Sequence, residues 1–419
     1  MKKQFPMRVI AAALMLASAG AMAEPGLSSN GYFRVGIGGA GGGGDQACYG
    51  LGPAKYRLGN ECDDYVEFGL DAELPKGPGD SIWKAHVMVT GWTGYPNSIN
   101  NVDTKWSQLY LSGHNLGDGI LAGASVWVGR RYYDRPDIHI LDYKYQNSDG
   151  DGGGIENMDL GFGKLSWAIE RTGVTWNGTD SNDRTSDTNY FANLLRLDSV
   201  KIHQDGYLTF NLGITKGSDS RNGLYDATGG WYAGAFYDAK VFDLNAWNRI
   251  GIQYGKGSMA NGNFGQVLVA NSNGSAIESG DDTFQVFDNV SYTSANQAWT
   301  MLANVIYRKD KRADQWSSQD WFSIGARPQY HFTDIWGLAT EVGYTQIKPT
   351  YDNISRDLTK ATVALTAAAG RGPYSRPEMR LYYTFAKWND AAKGWVASNT
   401  LYANNTSGSS YGIQAETWW

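Results

Sequence analysis

Apolar and polar side chains alternate one by one along many segments of this chain. In the segment DYVEFGLDAEL (residues 64–74), Val66 and Phe68 fall on one side, and Tyr65 and Glu67 fall on the other. The same alternation recurs in GYFRVGIG (31–38), AWNRIGIQYG (246–255) and PEMRLYYTF (377–385). This period of two predicts β-strands that carry one apolar face and one polar face.

Two all-β architectures are compatible with this alternation. In a soluble sandwich the apolar faces meet in a core, and the polar faces meet water. In a membrane barrel the apolar faces meet lipid, and the charged side chains line a wet lumen. Periodicity alone does not separate the two, so other features of the chain must decide.

The first 23 residues have the three parts of an export signal. Lys2, Lys3 and Arg8 are followed by an apolar run over residues 9–16 and by the small residues AMA at 21–23. The run is shorter than the roughly 20 residues of a membrane-spanning helix. The sequence therefore predicts a signal peptide over 1–23, and a mature chain that starts near Glu24.

Export and aromatic content together favour the membrane barrel. The chain has 16 Trp, 26 Tyr and 14 Phe, and no mature stretch is apolar for the length of a spanning helix. We therefore expect residues 24–419 to form one domain, a closed antiparallel transmembrane β-barrel. At about 10 residues per strand, the length suits roughly 16 to 18 strands. The segments GGAGGGGDQ, PKGPGD and NSDGDGGG are typical of the connections between them.

The segment YGIQAETWW (411–419) illustrates the two faces. Ile413 and Trp419 share one side, whereas Glu416 and Trp418 share the other. The alternation thus predicts that Trp419 faces lipid at the membrane interface, where aromatic girdles lie, and that Trp418 faces the lumen.

Charge, cysteines and motifs exclude several functions. A net charge of −6 disfavours nucleic acid as a partner. Cys48 and Cys62 are the only cysteines, and in an exported chain they predict one disulfide. Neither a metal nor a cofactor is expected, because the ligands are too few and scattered.

Three sequence features suggest other functions, but the residues around them do not support those functions. GIGGAG (36–41) lacks the helix that a dinucleotide site needs. DGDGGG (149–154) lacks the later glutamate of a calcium loop, so a solvated turn is favoured. Paired carboxylates are abundant but cannot be distinguished from lumen charges, which leaves a glycosidase without support.

Several long motifs resemble the maltoporin-like (LamB-type) carbohydrate porins of Gram-negative outer membranes. They are GYFRVGIG, KYRLGNECDDYVE, VWVGRRYYDRPDIHILDY, GIENMDLGFGKLS, SRPEMRLYYTFAKW and ETWW, and they extend from about residue 31 to 419. The resemblance implies a homotrimer of 18-stranded barrels in the outer membrane. It also implies a line of aromatic rings in each pore, an aromatic slide, with ionised residues beside it.

The resemblance assigns roles to individual residues. The aromatic slide corresponds to Tyr32, Tyr65, Trp247, Tyr374 and Trp418. The ionic track and the inward-folded constriction loop correspond to Arg34, Arg57, Glu67, Arg135, Asp137 and Asp142, with Lys144 where maltoporins carry a tyrosine. Cys48 and Cys62 match the first-loop disulfide of the family. The ring that maltoporins extend into a neighbouring subunit corresponds to Trp92 or Tyr95.

The predicted function is facilitated diffusion of maltose and maltodextrins, or related glucosides, without chemistry and without catalytic residues. The alternatives are a general diffusion porin, a porin for another sugar such as sucrose, and a barrel enzyme. In relatives the surface loops also serve as phage receptors, so a phage is a further expected partner, besides outer-membrane lipid.

Overall fold

The computed structural model describes residues 26–75, 77–93, 102–172, 190–217, 228–241, 245–268, 271, 275–398 and 400–419. The predicted signal peptide and Tyr95 lie outside this part of the chain. Within it, no helix is both long and apolar enough to cross a membrane.

The regular secondary structure of the described residues is mostly β-strand. They are β1 (Leu27–Ala40), β2 (Asp64–Glu73), β3 (Ile82–Thr93), β4 (Asp103–His114), β5 (Ser125–Tyr133), β6 (Asp137–Ile138), β7 (Tyr143–Lys144), β8 (Ser148–Asp159), β9 (Lys164–Thr172), β10 (Tyr190–His203), β11 (Gly206–Thr215), β12 (Gly230–Lys240), β13 (Ala246–Gly257), β14 (Asp282–Thr293), β15 (Trp299–Lys311), β16 (Gln319–His331), β17 (Trp336–Pro349), β18 (Arg356–Ala368), β19 (Glu378–Trp388) and β20 (Ser407–Trp418). Short 3-10 helices cover Pro78–Asp80, Gly119–Leu121, His139–Leu141, Gln315–Ser317, Asp390–Ala392 and Thr400–Tyr402.

Eighteen of these strands close into one antiparallel barrel. Each barrel strand pairs with the next one along the chain, and the sheet closes because β1 pairs with both β2 and β20. Arg34 of β1, for example, lies opposite Tyr65 on one side and opposite Glu416 on the other. Because the sheet closes on itself, none of the 18 described barrel strands is left as an unpaired edge. The prediction of an all-β closed barrel of about 18 strands is therefore confirmed.

The wall has an apolar outside and a polar inside, as the alternation predicted. In β19, Met379 and Leu381 are 63% and 58% exposed, whereas the intervening Arg380 is 3% exposed. The same order holds in β20, where Ile413 is exposed and Glu416 is buried. An outward apolar face beside an inward charged face is the arrangement of a barrel in lipid around a polar lumen.

The two ends of the barrel differ in the length of their connections. β10 and β11 are joined by only residues 204 and 205, at the end where β1 begins. At the opposite end, long connections cover residues 41–63, 134–147 and 258–281. In such barrels short turns face the periplasm and long loops face outside. The end where β1 begins is therefore assigned to the periplasm, and the opposite end to the cell exterior.

Two of the long connections pack inside the barrel against apolar side chains of the wall and contribute to its main buried cluster. We call residues 134–147 the constriction loop, and it includes the small β6–β7 ladder. Its Tyr145 ring packs 4.4 Å from Phe287, and its Tyr143 ring lies 5.2 Å from Trp321 of the wall. The Tyr145 hydroxyl accepts a hydrogen bond of 2.6 Å from Arg249. Packing on both rings therefore holds the constriction loop in the lumen.

The first loop, residues 41–63, packs against the inner wall where paired glycines leave space for a side chain. Gly325 and Gly343 are directly paired across β16 and β17. A Cβ atom on either glycine would lie 2.2–2.3 Å from the Tyr56 ring, so only glycine leaves room for that ring. The Tyr56 hydroxyl also lies 2.8 Å from Ser323 Oγ. The predicted disulfide between Cys48 and Cys62 is formed within this loop.

Candidate functional site

A line of aromatic rings follows one side of the lumen. Tyr65 lies 5.9 Å from Tyr32, and Tyr32 lies 6.5 Å from Trp418, measured between ring centroids. His139 of the constriction loop continues the line, 5.9 Å from Trp418 and 5.4 Å from Tyr374. We call these five residues the aromatic line.

Strand register explains why rings that are distant in sequence come together. Tyr32 of β1 lies directly opposite Trp418 of β20. On its other side, Tyr32 lies opposite Glu67 of β2, two residues from Tyr65. All three rings occupy inward positions of their strands, so barrel closure brings the first, second and last barrel strands together on one wall.

Trp92 neighbours the aromatic line in the strand register. It lies opposite Tyr65 across β2 and β3, and its Nε1 donates a 2.9 Å hydrogen bond to Asp63. The family resemblance suggested Trp92 or Tyr95 as the ring that enters a neighbouring subunit. Within one chain the indole of Trp92 hydrogen-bonds Asp63 of the first loop. Tyr95 is not among the described residues, so a role of either ring between subunits stays a prediction.

Trp247 stands apart from the aromatic line. It has the inward parity of Gln253 in β13, near the short-turn end, and is 48% exposed. Among the described residues, no ring contact joins it to Tyr374 or to the other members of the line. Of the five rings assigned by resemblance, the structure therefore brings four together, and His139 links two of them.

Arg34 connects the aromatic line to the charges. Its guanidinium hydrogen-bonds both carboxylate oxygens of Asp63, at 2.8 and 3.0 Å. It also lies 3.5 Å from Asp142 and 5.4 Å from the centroid of the Tyr65 ring. One cation thus touches the first loop, the constriction loop and a ring.

Glu416 is a buried carboxylate that binds several arginines, and it was not among the site residues assigned from the sequence. Its carboxylate accepts from Arg57 at 2.6 Å, from Arg380 at 2.6 Å and from Arg376 at 2.8 Å. The Tyr32 hydroxyl donates to it at 2.9 Å. Alternation in ETWW could have placed Glu416 on the inward face. It could not have shown its three arginine partners, because they come from two segments that are distant in sequence.

A second set of contacts surrounds Glu67. Its carboxylate accepts from the Tyr65 hydroxyl at 2.7 Å and from Arg135 of the constriction loop at 3.4 Å. Arg135 lies 3.4 Å above the ring of Tyr132. These contacts direct the constriction loop toward the same side of the lumen as the aromatic line.

Lys144 belongs to the constriction loop and lines the channel cavity. It is paired across the ladder with Asp137, and both side chains line the channel. No carboxylate of the described residues is within ion-pair distance of its ammonium group. Burial lowers the pKa of Lys144, and the nearby Arg135 lowers it further. Burial conversely raises the pKa of Asp137.

Asp142 is held ionised by its surroundings. Burial by itself raises the pKa of this carboxyl, but Arg57, Lys55 and Arg34 outweigh burial and place the pKa below its usual range. Lys55 Nζ lies 3.2 Å from Asp142, and Lys55 also bonds Glu61. Asp142 therefore links the constriction loop to the first loop as a carboxylate.

These side chains line a cavity of about 940 Å³ that opens to solvent. Its lining includes all seven charged residues assigned from sequence, namely Arg34, Arg57, Glu67, Arg135, Asp137, Asp142 and Lys144, together with Tyr32, Tyr65 and Trp418. Arg308, Asp310 and Arg312 of the opposite wall also line it and were not anticipated. Tyr374 and Trp247 are not part of this lining.

Rings with ionised groups directly beside them suit a solute that has an apolar face and many hydroxyls. Rings accept C–H faces, and charged groups make strong hydrogen bonds to hydroxyls. Among the described residues, no cluster of three or more His, Cys, Asp or Glu side chains could hold a metal ion.

A closed barrel with an apolar outside, a polar lumen and a loop that narrows it defines an outer-membrane porin. Solved porins share the fold. Pseudomonas aeruginosa opdK (12% identity, TM-score 0.51) and OccK2 (OpdF) (9%, 0.51) match 94% of this chain and 99% and 97% of theirs. Salmonella typhi OmpF, solved in complex with daunomycin, matches at 11% identity and a TM-score of 0.50, over 94% of this chain and 98% of its own.

A family model described as LamB porin matches residues 27–419. The chain belongs to the LamB porin family and is a non-enzymatic channel of the Gram-negative outer membrane. The predictions of family, of location and of the lack of enzymatic activity are thereby confirmed.

Proposed function

We propose that this porin carries maltose and linear maltodextrins by facilitated diffusion along the aromatic line. The observation that supports this most strongly is the run of rings from Tyr65 through Tyr32 and Trp418 to His139 and Tyr374, with successive centroids 5.4–6.5 Å apart. A solute in contact with one ring is thus close to the next.

The physical basis is an exchange of weak contacts. A pyranose presents an apolar C–H face and an equatorial rim of hydroxyls, and rings bind the first while charged groups hydrogen-bond the second. Successive weak sites let a sugar bind and still leave, which conduction through a pore requires. The proposed hydroxyl partners are Arg34, Arg57, Glu67, Arg135, Asp137, Asp142 and Lys144. Trp247 is proposed as a separate ring near the periplasmic exit.

Block of ion current by sugar tests this proposal. Purified channels are reconstituted in a planar bilayer, and maltohexaose is titrated against wild type, Trp418→Ala and Tyr65→Ala. Each ring is worth about 0.5–1.5 kcal/mol, so block should need roughly two- to tenfold more sugar. Tyr383→Ala is the matched control, because Tyr383 lies on the outward face. Unchanged block in both lumen variants would refute the aromatic line as the path.

A porin for another sugar is the second candidate, because a flexible cation lies in the constriction loop. Lys144 replaces a bulky ring with an ammonium group that lacks an ion partner among the described residues. The same titration with sucrose decides between them. If no sugar closes the conductance, the chain is a general diffusion porin.

We further propose that residues 24–419 form one barrel domain and that three copies assemble. Support comes from the family alone, and the native mass of the purified protein in detergent tests the trimer.

A further inference from the structure

Three neighbouring long-end connections hold a row of stacked side chains outside the channel. Trp316 stacks on Tyr351 at 4.4 Å with an interplanar angle of 28°. Arg356 lies 5.8 Å from the Tyr351 ring and 4.3 Å from the Trp395 ring. We call Trp316, Tyr351, Arg356 and Trp395 the mouth row.

Backbone and ionic contacts hold the mouth row in place. The Trp316 amide donates to Asp314 Oδ1 at 3.1 Å, at the start of a 3-10 helix. Arg356 hydrogen-bonds Asp352 at 2.6 Å. Beside Trp395, the carbonyl of Val396 accepts from the Gly50 amide at 3.0 Å, which ties this loop to the first loop. The rings are therefore presented by braced segments.

The tryptophan rings at the two ends of the mouth row, Trp316 and Trp395, are exposed to solvent. Trp316 is 63% exposed although Tyr351 covers one face, and Trp395 is 48% exposed although Arg356 lies over it. Exposed aromatic surface grouped on one part of a protein is typical of interaction sites. A partner that covers these faces would remove that unfavourable exposure.

The position of the mouth row favours a solute of the channel over lipid. Ser317 and Gln319, next to Trp316 in the chain, line the channel cavity. Arg356 has the inward parity of the buried Leu358 and Lys360 in β18. Lipid instead meets the outward positions of the wall, so the row lies by the entrance of the lumen.

We propose that the mouth row is an extracellular docking site for linear oligosaccharides, which captures a sugar chain before it enters the channel. Pyranose C–H faces stack on Trp316 and Trp395, and sugar hydroxyls hydrogen-bond the Asp352 carboxylate, which is more accessible than its partner Arg356. This inference rests on the proposed function, since the captured sugar then passes to the aromatic line.

Side-resolved current recordings test the docking site. Maltohexaose is added to the extracellular or the periplasmic side of wild type and of Trp316→Ala/Trp395→Ala. The association rate from the extracellular side should fall about three- to tenfold, while the periplasmic rate and the residence time stay unchanged. Trp316→Phe/Trp395→Phe, which keeps both positions aromatic, should retain most of the rate. Trp336→Ala is the control, because this exposed tryptophan lies at the opposite, short-turn end.

The outcomes separate this inference from the proposed function. Equal extracellular rates in wild type and the double alanine variant would overturn the docking site while leaving the channel proposal intact. If wild type shows no block from either side, the channel proposal fails, and retention on amylose resin decides the docking site. Retention of wild type but not of the double variant supports it, and equal retention overturns it. Loss of lipopolysaccharide binding with unchanged sugar association rates would overturn it by assigning the row to the membrane.

Discussion

The carboxylate of Glu416 lies 2.6 Å from the guanidinium of Arg57, and both side chains are buried. This ion pair joins the last strand of the barrel to the first loop, and the Tyr32 hydroxyl hydrogen-bonds both of its members. Arg376 and Arg380 share the same carboxylate. One buried acid thus organises several cations along the path proposed for the solute.

We expect Glu416→Gln to destabilise the barrel. Breaking a buried ion pair from one side leaves the partner charge uncompensated, at a cost of about 3–5 kcal/mol. Thermal unfolding of purified protein in detergent measures the loss. Asp390→Asn is the control, because the Asp390 carboxylate is 85% exposed and its pair with Lys393 lies on the surface. Equal stability of the two variants would contradict the role of Glu416.

We expect Lys144→Tyr to narrow the channel and to tighten block by maltohexaose. The substitution puts a rigid ring near Asp137, where a flexible ammonium group now lies. Single-channel conductance and sugar titration measure both effects. Lys144→Met removes the charge without adding a ring, and should change ion selectivity more than sugar affinity. An unchanged conductance in Lys144→Tyr would show that residue 144 is not at the narrowest point.

We expect Gly343→Val to dislodge the first loop. The Tyr56 ring would lie 2.3 Å from the new Cβ atom, and overpacking of this kind costs about 1–3 kcal/mol. Protease sensitivity of the first loop, with thermal unfolding beside it, measures the change. Gly280→Ala is the control, since a Cβ atom there has no neighbour within 4 Å. A first loop that stays protected in Gly343→Val would exclude the fit described.

We expect stability to depend on the ionisation of Asp142 at acid pH. Its folded pKa lies below the unfolded value of about 4, so the folded state favours the carboxylate. This contribution is complete above the unfolded pKa, and is lost as the pH falls toward the folded pKa. The stability difference between wild type and Asp142→Asn should therefore shrink from pH 7 to pH 3. A difference that stays constant over this range would argue against ionised Asp142 as the link between the two loops.

Much of the wall could be predicted from strand periodicity. Parity placed Tyr32, Tyr65 and Trp418 on the polar faces of their strands and Trp419 on the apolar face, because neighbouring side chains of a strand point to opposite faces whatever the rest of the fold does. The cysteine pair and the barrel class followed from export and composition.

Strand periodicity could not predict which side chains lie next to each other around the barrel. That Tyr32 meets Trp418, that His139 enters between Trp418 and Tyr374, and that Trp247 stands apart depend on closure and on how the loops fold inward. The three arginines on Glu416 and the hydrogen bond from Trp92 to Asp63 depend on the same closure and loop packing. The sequence by itself determined which face each residue occupies, since that is a local property of the strand. Only the tertiary structure decided which residues meet across the lumen, since long-range register and loop packing set those distances.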